Sequence, residues 1–264
     1  MYDFEFHAPG SLDEALDKLA QADDGQVMAG GQTMIPVMKQ RLAMPSDVID
    51  LNNIDALKGI TLESGRLSIG AMTTHADVAS SDAVRDAIPA LAYLAGEIGD
   101  PHVRNRGTIG GSLAHNDPAA DYPAAVLGLG ATVRTNTREI AADDFFVDIF
   151  ETALDDGELI TGIDFPVPDA AAYIKFANPA SRFALVGVFV ARSAEGVRVA
   201  VTGAGPCVFR MPEMEQALQA EFEPARLNGI SIDDTDLNSD IHASAEYRAH
   251  LVGVLAKRAV AQIQ

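Results

Sequence analysis

The stretch over residues 101–131 constrains this chain more than any other, because it is too long and too irregular to be a simple connection. A segment of that kind inside a compact domain is usually functional. At its centre, residues 107–112 read GTIGGS, so three glycines and two hydroxyl side chains leave the backbone almost bare. Bare backbone can adopt positive φ, and its successive amides can form a concave nest for an anion such as a phosphate. We therefore predict an anion-binding loop at this point.

Charged residues flank this loop on both sides. Arg104 and Arg106 precede it, and Asp117 and Asp121 follow it. Arginine side chains can add positive charge beside a phosphate. Aspartate side chains can accept hydrogen bonds from ribose-like hydroxyls.

A second glycine loop lies far upstream, where residues 29–33 read AGGQT. It follows the short apolar run Val27-Met28 and precedes a segment with helical potential over residues 34–42. A strand, a glycine turn and a helix start together form the setting in which backbone amides and a helix dipole hold a phosphate. Either loop alone is equally consistent with a tight turn. The two together predict a diphosphate held from two sides, as a dinucleotide cofactor would need.

Composition excludes several other classes of protein. The formal net charge is −19, which argues against nucleic acid as a partner because such binding needs a basic surface. The single cysteine, Cys207, excludes a disulfide framework and a cysteine-ligated zinc or iron–sulfur site within this chain. No basic N-terminal region with an apolar core and no bilayer-length apolar run is visible. We therefore expect a soluble, cytoplasmic protein.

Helical periodicity is clearest near the two ends of the chain. Ser11 and Glu14 have the spacing of a capping box, and the leucines and alanines after them repeat as in an amphipathic helix. Thr74 is predicted to cap a helix over residues 75–80. The last helix is predicted to begin after Ser244 and to end near Gln262.

The last third of the chain begins with β-rich sequence. Residues 184–192 and 197–202 are joined by SAEG, which predicts a β-hairpin. Pro166 and Pro168 precede this region and mark a predicted domain boundary.

Two widespread nucleotide-binding motifs are absent. The candidates for G-x-G-x-x-G, at residues 128–130 and 203–205, lack the third glycine, and no G-x-x-x-x-G-K-[ST] occurs. The residues by themselves therefore predict a phosphate-bearing cofactor on two glycine loops, and go no further.

Four segments resemble one known family: AGGQTMIPVMKQRLAMPSDVIDLNNI, IGAMTTHADV, IGDPHVRNRGTIGGSLAHNDPAADYPAAVLGLGA and SDIHASAEYRAHLVGVLAKRAV. They are similar to the FAD-binding medium subunits of molybdenum hydroxylases, as in aerobic carbon monoxide dehydrogenase and the equivalent domain of xanthine dehydrogenase. The similarity extends over residues 4–261. It implies an α+β protein with an FAD-binding fold of the vanillyl-alcohol-oxidase or p-cresol-methylhydroxylase type.

The same resemblance implies a domain organisation. Residues 1–168 would form the FAD-binding domain, with two α/β subdomains at about 1–55 and 56–168. Residues 169–264 would form a C-terminal α+β domain of the carbon monoxide dehydrogenase flavoprotein type.

The resemblance also assigns cofactor-binding residues. The two diphosphate-binding loops would be formed by Ala29, Gly30, Gly31, Gln32 and Thr33, and by Thr108, Ile109, Gly110, Gly111 and Ser112. Asp121 would lie near the ribose or adenosine, Lys175 near the flavin, and Phe183 beside the isoalloxazine. Family members often have a basic pair and Gly-Asp before that aromatic residue, as in RRxGDF, whereas this chain reads ANPASRF over residues 177–183.

The function implied is electron transfer, with no catalytic acid or base and no metal site in this chain. A large subunit would carry the molybdopterin cofactor, and a small subunit two [2Fe–2S] clusters that pass electrons to FAD here. From FAD the electrons would go to an external acceptor, within a dimer of heterotrimers. Two alternatives remain open: a stand-alone FAD-dependent oxidoreductase, and a scaffold subunit that has lost FAD.

Overall fold

Three larger β-sheets with helices between and around them organise residues 1–263, which are the residues that the structure, a computed structural model, describes. Helices account for 37% and strands for 26%, so the predicted α+β class is confirmed. Gln264, the last residue of the predicted C-terminal domain, lies outside the described residues.

The first sheet is parallel and small. Its strands lie in the order β1-β3-β2, with β1 at Glu5–His7, β2 at Gly25–Met28 and β3 at Asp47–Asp50. Helix α1 (Leu12–Gln21) connects the first pair of strands, and α2 (Met34–Lys39) the second. The capping box predicted at the start of α1 is half formed. Ser11 Oγ accepts a hydrogen bond from the N–H of Glu14, as predicted, whereas the Glu14 carboxylate accepts one from the N–H of Gly10 instead of Ser11.

The second sheet is antiparallel, in the order β4-β5-β10-β6-β7. Its strands are β4 (Ile60–Glu63), β5 (Arg66–Gly70), β6 (Thr132–Thr135), β7 (Glu139–Ala141) and β10 (Ile160–Pro166). Between β7 and β10 come α9 (Ala142–Phe145) and a small hairpin of β8 (Phe146–Asp148) and β9 (Glu151–Thr152).

Six helices fill the long excursion between β5 and β6. They are α3 (His75–Ser80), α4 (Asp82–Ala87), α5 (Pro89–Gly96), α6 (Pro101–Arg104), α7 (Ile109–His115) and α8 (Tyr122–Leu129). The helix over residues 75–80 is confirmed, with Thr74 as its side-chain cap.

Helices α6 and α7 occupy much of the first part of the stretch over residues 101–131, which corrects the long irregular loop expected there. Each helix in it is short and is closed by local side-chain or backbone devices. Asp100 caps α6, Thr108 caps α7, and Asn116 ends α7 in the left-handed conformation with a φ of 45°. Helices of one or two turns show too little periodicity to be recognised in sequence.

The third sheet is antiparallel, in the order β11-β12-β13-β14. Its strands are β11 (Ala170–Ala177), β12 (Ala184–Ser193), β13 (Gly196–Thr202) and β14 (Phe209–Arg210). The predicted hairpin is confirmed, with Ser193 opposite Gly196 at its turn. Two helices follow, α10 (Pro212–Ala220) and the predicted last helix α11 (Ala245–Ile263).

Helix α8 joins the second and third sheets. All eight of its residues are buried, because it packs against β12 and β13 on one side and against α5, α7 and β10 on the other. Tyr173 and Phe189 of the third sheet therefore belong to the same apolar cluster as Leu67 and Ile163 of the second. The predicted boundary near Pro168 coincides with a change of sheet, while the core is continuous across it; the division into domains stays a prediction.

No helix within residues 1–263 has the length and apolar character needed to cross a membrane.

Arg248 is the principal buried cation of the C-terminal helix. Only 3% of it is exposed, and its guanidinium donates to the carbonyl oxygens of Leu185 and Gly203 and to the carboxylate of Asp240. These bonds fix α11 to the ends of β12 and β13. A buried charge of this kind is costly to disrupt, since its partners lose their donors together.

We predict that Arg248→Ala lowers the free energy of unfolding by about 3 kcal/mol, because buried acceptors are left without donors. Arg258→Ala, on the same helix but at an exposed position, is the matched control and should change it little. Urea denaturation followed by circular dichroism measures both. Equal effects of the two substitutions would contradict the role given to the buried guanidinium.

Candidate functional site

One large cavity lies where the three sheets approach one another. Its volume is about 740 Å³, within the range typical of small-molecule and cofactor sites. Its walls come from the end of the first sheet, from the segments around α3 and α7, from residues 154 and 157–160, and from residues 181–183 in the loop between β11 and β12. Both glycine loops line it.

The first glycine loop presents free backbone amides. It connects β2 to α2, as predicted, and Gly31 has a φ of 71°, a conformation that favours glycine. The side chain of Asn52 holds the loop by donating to the carbonyl oxygen of Ala29 at 3.1 Å. Among the residues that the structure describes, the N–H groups of residues 30–33 have no acceptor. The loop therefore offers donors to a bound group.

Most amides of the second glycine loop are already engaged. The N–H groups of Ile109 and Gly110 donate to the carbonyl oxygens of Thr73 and Ala71 at 3.1 and 2.9 Å. That of Gly111 donates to Thr108 Oγ1 at 3.1 Å. The loop is thus the capped first turn of α7, and only the amide of Gly111 has a side-chain hydroxyl as its partner. A hydroxyl can rotate away, whereas the backbone carbonyls cannot.

The two loops touch each other directly. A Cβ atom on Gly30 would lie 2.2 Å from the carbonyl oxygen of Arg106, and one on Gly111 would lie 3.1 Å from the Cβ of Ala29. Gly110 is equally restricted, by Ala71 at 2.6 Å. Several of these glycines are therefore required because protein backbone approaches them closely. The prediction of ligand approach alone missed this reason.

Asp121 and Lys175 form a buried ion pair together with Tyr173. Lys175 Nζ lies 2.9 Å from Asp121 Oδ1 and also donates to the carbonyl oxygen of Glu97 at 3.1 Å. The Tyr173 hydroxyl donates to Asp121 Oδ1 at 2.6 Å. Burial raises the pKa of Asp121, and the charge of Lys175 opposes this rise. The resemblance placed these two residues separately around a cofactor, whereas here each is the other's main partner.

Phe183 lies at the mouth of the cavity. It ends the loop between β11 and β12, which is closed by a hydrogen bond from the Asn178 N–H to the Phe183 carbonyl oxygen. Arg182 precedes it with a φ of 63°, and half of the Phe183 side chain is exposed. The departure from the RRxGDF pattern has thus produced a tight, internally bonded loop that still presents an aromatic ring to the cavity.

Most of the predicted site residues come together in this cavity. Eleven of the thirteen line it, and the exceptions are Ile109 and Lys175. Ile109 is fully buried beneath the second loop, and Lys175 reaches the site only through Asp121. Neither Arg104 nor Arg106 lines the cavity, and Arg104 donates instead to the carbonyl oxygens of Ile98 and Gly99.

Sequence reasoning missed one wall of the cavity, residues 154 and 157–160. Glu158 anchors this wall: its carboxylate accepts hydrogen bonds from Arg138, Thr135 and Thr137. These bonds, chiefly that from Arg138, hold the pKa of Glu158 well below its usual range. No sequence motif predicts this wall, because the side chains that hold the Glu158 carboxylate come from another strand and turn.

His75 was also missed, because the sequence around the first residue of α3 gives no sign that this side chain is buried. It is 5% exposed, lines the cavity, and its Nδ1 has no hydrogen-bond partner among the described residues. Its backbone N–H donates to the carbonyl oxygen of Gly107, and a Cβ on Gly107 would lie 2.5 Å from His75 Nε2. The imidazole therefore supports the second glycine loop from below. Burial, aided by the charge of Arg104, lowers its pKa to about 4.

Comparison with known proteins finds family matches over almost the whole chain. The family model described as the FAD binding domain in molybdopterin dehydrogenase matches residues 2–168, and the CO dehydrogenase flavoprotein C-terminal domain matches residues 171–263. The nicotine 6-hydroxylase medium subunit of Paenarthrobacter nicotinovorans is 37% identical, over 97% of this chain and 96% of that protein. The carbon monoxide dehydrogenase medium chain of Hydrogenophaga pseudoflava is 34% identical, over 97% and 96%.

Solved structures agree with these sequence matches. A carbon monoxide dehydrogenase structure from Hydrogenophaga pseudoflava superposes with a TM-score of 0.90 at 34% identity, covering 98% of this chain and 96% of the matched one. Quinoline 2-oxidoreductase from Pseudomonas putida 86 gives 0.85 at 29% identity, covering 99% and 96%.

Because His75 is buried in its neutral form, we predict that it contributes to the loss of folding stability at acidic pH. The pKa of His75 in the folded protein, about 4, lies below the ordinary histidine value of 6.5, so the unfolded chain binds the proton more readily. Stability should therefore fall as pH decreases from 6.5 towards 4. Between pH 7 and pH 5, wild-type protein should lose about 2 kcal/mol more than His75→Gln.

Urea denaturation at the two pH values checks this expectation. His102→Gln, at an exposed histidine, is the control and should keep the wild-type dependence. An identical pH dependence in His75→Gln and wild type would show that burial of the neutral imidazole has no such effect.

Proposed function

The chain belongs to the family of FAD-binding medium subunits of molybdenum hydroxylases, and we propose that it is the electron-transferring flavoprotein of such a complex. The observation that carries the proposal is the pair of glycine loops, brought into contact at one cavity by a chain that matches this family almost from end to end. Fold alone would not suffice, because function depends on the site.

The residues around the cavity fit an FAD diphosphate. The free N–H groups of residues 30–33 point to an acceptor-rich ligand, and the α2 helix dipole favours negative charge beside them. On the opposite side, Thr108 and Ser112 supply hydroxyls. When Thr108 turns its hydroxyl away, the Gly111 amide becomes a further donor. We propose that the first loop supplies most of the backbone donors and the second mainly hydroxyls.

The third sheet would supply the surroundings of the flavin ring. Phe183 presents an aromatic face at the cavity mouth, suited to contact with a planar ring system. Asp121 lines the cavity and forms an ion pair with Lys175. The negative and positive charges of this buried pair are therefore held in fixed positions beside the cavity. FAD, when bound, supplies the redox chemistry, and the protein's task is to hold and orient it.

The partners follow from what this chain lacks and from the family. One cysteine is not enough to ligate a [2Fe–2S] cluster, which supports the proposal that the clusters feeding electrons to FAD lie on another chain. We propose a small subunit with two such clusters, a large molybdopterin subunit that oxidises the substrate, and assembly as a dimer of heterotrimers. A cytoplasmic location belongs to the same proposal.

We predict that the purified chain binds FAD and shows the absorption bands of an oxidised flavoprotein, as isolated or after reconstitution. Gly111→Val should abolish or severely weaken binding, because its side chain would fill the space between Thr108 and Ala29. Gly10→Val is the matched control, since a Cβ there has nothing within 4 Å. Visible absorption during FAD titration gives the dissociation constants.

A wild-type chain that binds no FAD, with or without partner subunits, would contradict the proposed cradle. If the Gly111→Val variant is folded, as verified by circular dichroism, and binds FAD with wild-type affinity, the role given to the contact between the loops is contradicted.

We also predict that the tagged chain, expressed in its native host, co-purifies with a molybdenum-containing chain and an iron–sulfur chain. Metal analysis and the visible spectrum of the complex measure this, and substrate should reduce the flavin only when all three chains are present. Substrate-dependent reduction by the isolated chain would favour the stand-alone oxidoreductase instead. A complex without flavin would favour the scaffold.

A further inference from the structure

Three metal-ligating side chains meet on the first sheet, away from the cavity. Glu5 and His7 lie on β1, and Asp47 lies on the neighbouring strand β3. One ligand atom from each, a carboxylate oxygen or an imidazole nitrogen, lies within 4.8 Å of the other two. None of the three lines the cavity, so the glycine-loop site does not explain their proximity.

The backbone itself produces this arrangement. Side chains two apart on a strand project from the same face, so Glu5 and His7 stand side by side. The parallel register places Asp47 directly opposite Glu5. The three positions are thus held by the hydrogen-bonded ladder of the sheet.

Asp47 is prepared as an anionic ligand. Ser46 Oγ donates to Asp47 Oδ2 at 2.6 Å, and His7 Nε2 lies 2.7 Å from Oδ1. A hydrogen bond from outside the ligand set, such as that of Ser46, orients a carboxylate in the way that supporting residues do at metal sites.

The position of Glu5 is the observation that favours a metal site over a simple ion pair. The pair between His7 and Asp47 already ties β1 to β3 and needs no third member. The Glu5 carboxylate has no hydrogen bond or ion pair to another described side chain, yet it lies beside that pair and adds a second negative charge. An imidazole with two carboxylates is a donor set for divalent zinc, cobalt or nickel. Lys18, whose charge also acts on Asp47, opposes a bound cation and limits the affinity.

We propose that Glu5, His7 and Asp47 bind one divalent transition-metal cation, with water in the remaining coordination positions. The cation would fasten the edge strand β1 to β3. Because β2 and the first glycine loop belong to the same sheet, the ion would stabilise the part of the chain that carries that loop.

The test uses the full-length protein and Zn²⁺ or Co²⁺ as probes. Wild type should bind one equivalent in calorimetric titration, with a change in the visible spectrum of added Co²⁺. Glu5→Gln preserves the ion pair between His7 and Asp47 but removes one ligand charge, and should weaken binding by about tenfold or more. His7→Asn should do the same or worse. His242→Asn, at an exposed histidine distant in sequence, is the control for adventitious binding and should behave as wild type.

Thermal unfolding gives an independent readout. Added Zn²⁺ should raise the melting temperature of wild type and of His242→Asn more than that of Glu5→Gln. Equal affinities and equal shifts in wild type and Glu5→Gln would overturn the proposal and leave an ion pair only. Since Glu5 is exposed, its substitution is expected to leave folding intact, and the comparison decides even if His7→Asn fails to fold.

Discussion

The close contact between the backbones of Gly30 and Arg106 is the constraint on which the site depends. With only 2.2 Å available for a Cβ, no other residue fits at position 30 without separating the two glycine loops. The contact places the free amides of the first loop beside the hydroxyls of the second. It also joins the small parallel sheet to the body of the protein, so that one packing requirement both completes the fold and forms the cavity.

On the other side of the cavity, helix α8 joins the third sheet to the rest of the protein. It is buried along its whole length, which explains why its sequence shows no amphipathic pattern. At its start, Asp121 is held by Lys175 and Tyr173 of the third sheet, at 2.9 and 2.6 Å. A buried carboxylate is tolerated only with such partners. The third sheet is thus fixed to the cofactor-binding region by apolar packing and by one charged cluster.

Much of the fold was predictable from local signals. The hairpin of β12 and β13, the Thr74-capped helix and the last helix were confirmed because turn residues, a cap and sustained periodicity each act locally. Helices α6 and α7 were not predicted, because each is short and begins at a single side-chain cap. Likewise His75 and the wall around Glu158 give no local signal, since their burial depends on segments distant in sequence.

By itself the sequence determined where glycines and hydroxyl side chains are concentrated, and so which two segments are predicted to hold a phosphate-bearing cofactor, since such composition is a local property of the chain. It also determined the family, because the motifs extend over almost all of it. Only the tertiary structure decided which amides are free. Within residues 1–263, the amides of residues 30–33 have no acceptor, whereas those of Ile109 and Gly110 donate to the carbonyl oxygens of Thr73 and Ala71. Whether a donor is available depends on which distant backbone lies beside it, and that is settled only when the chain packs.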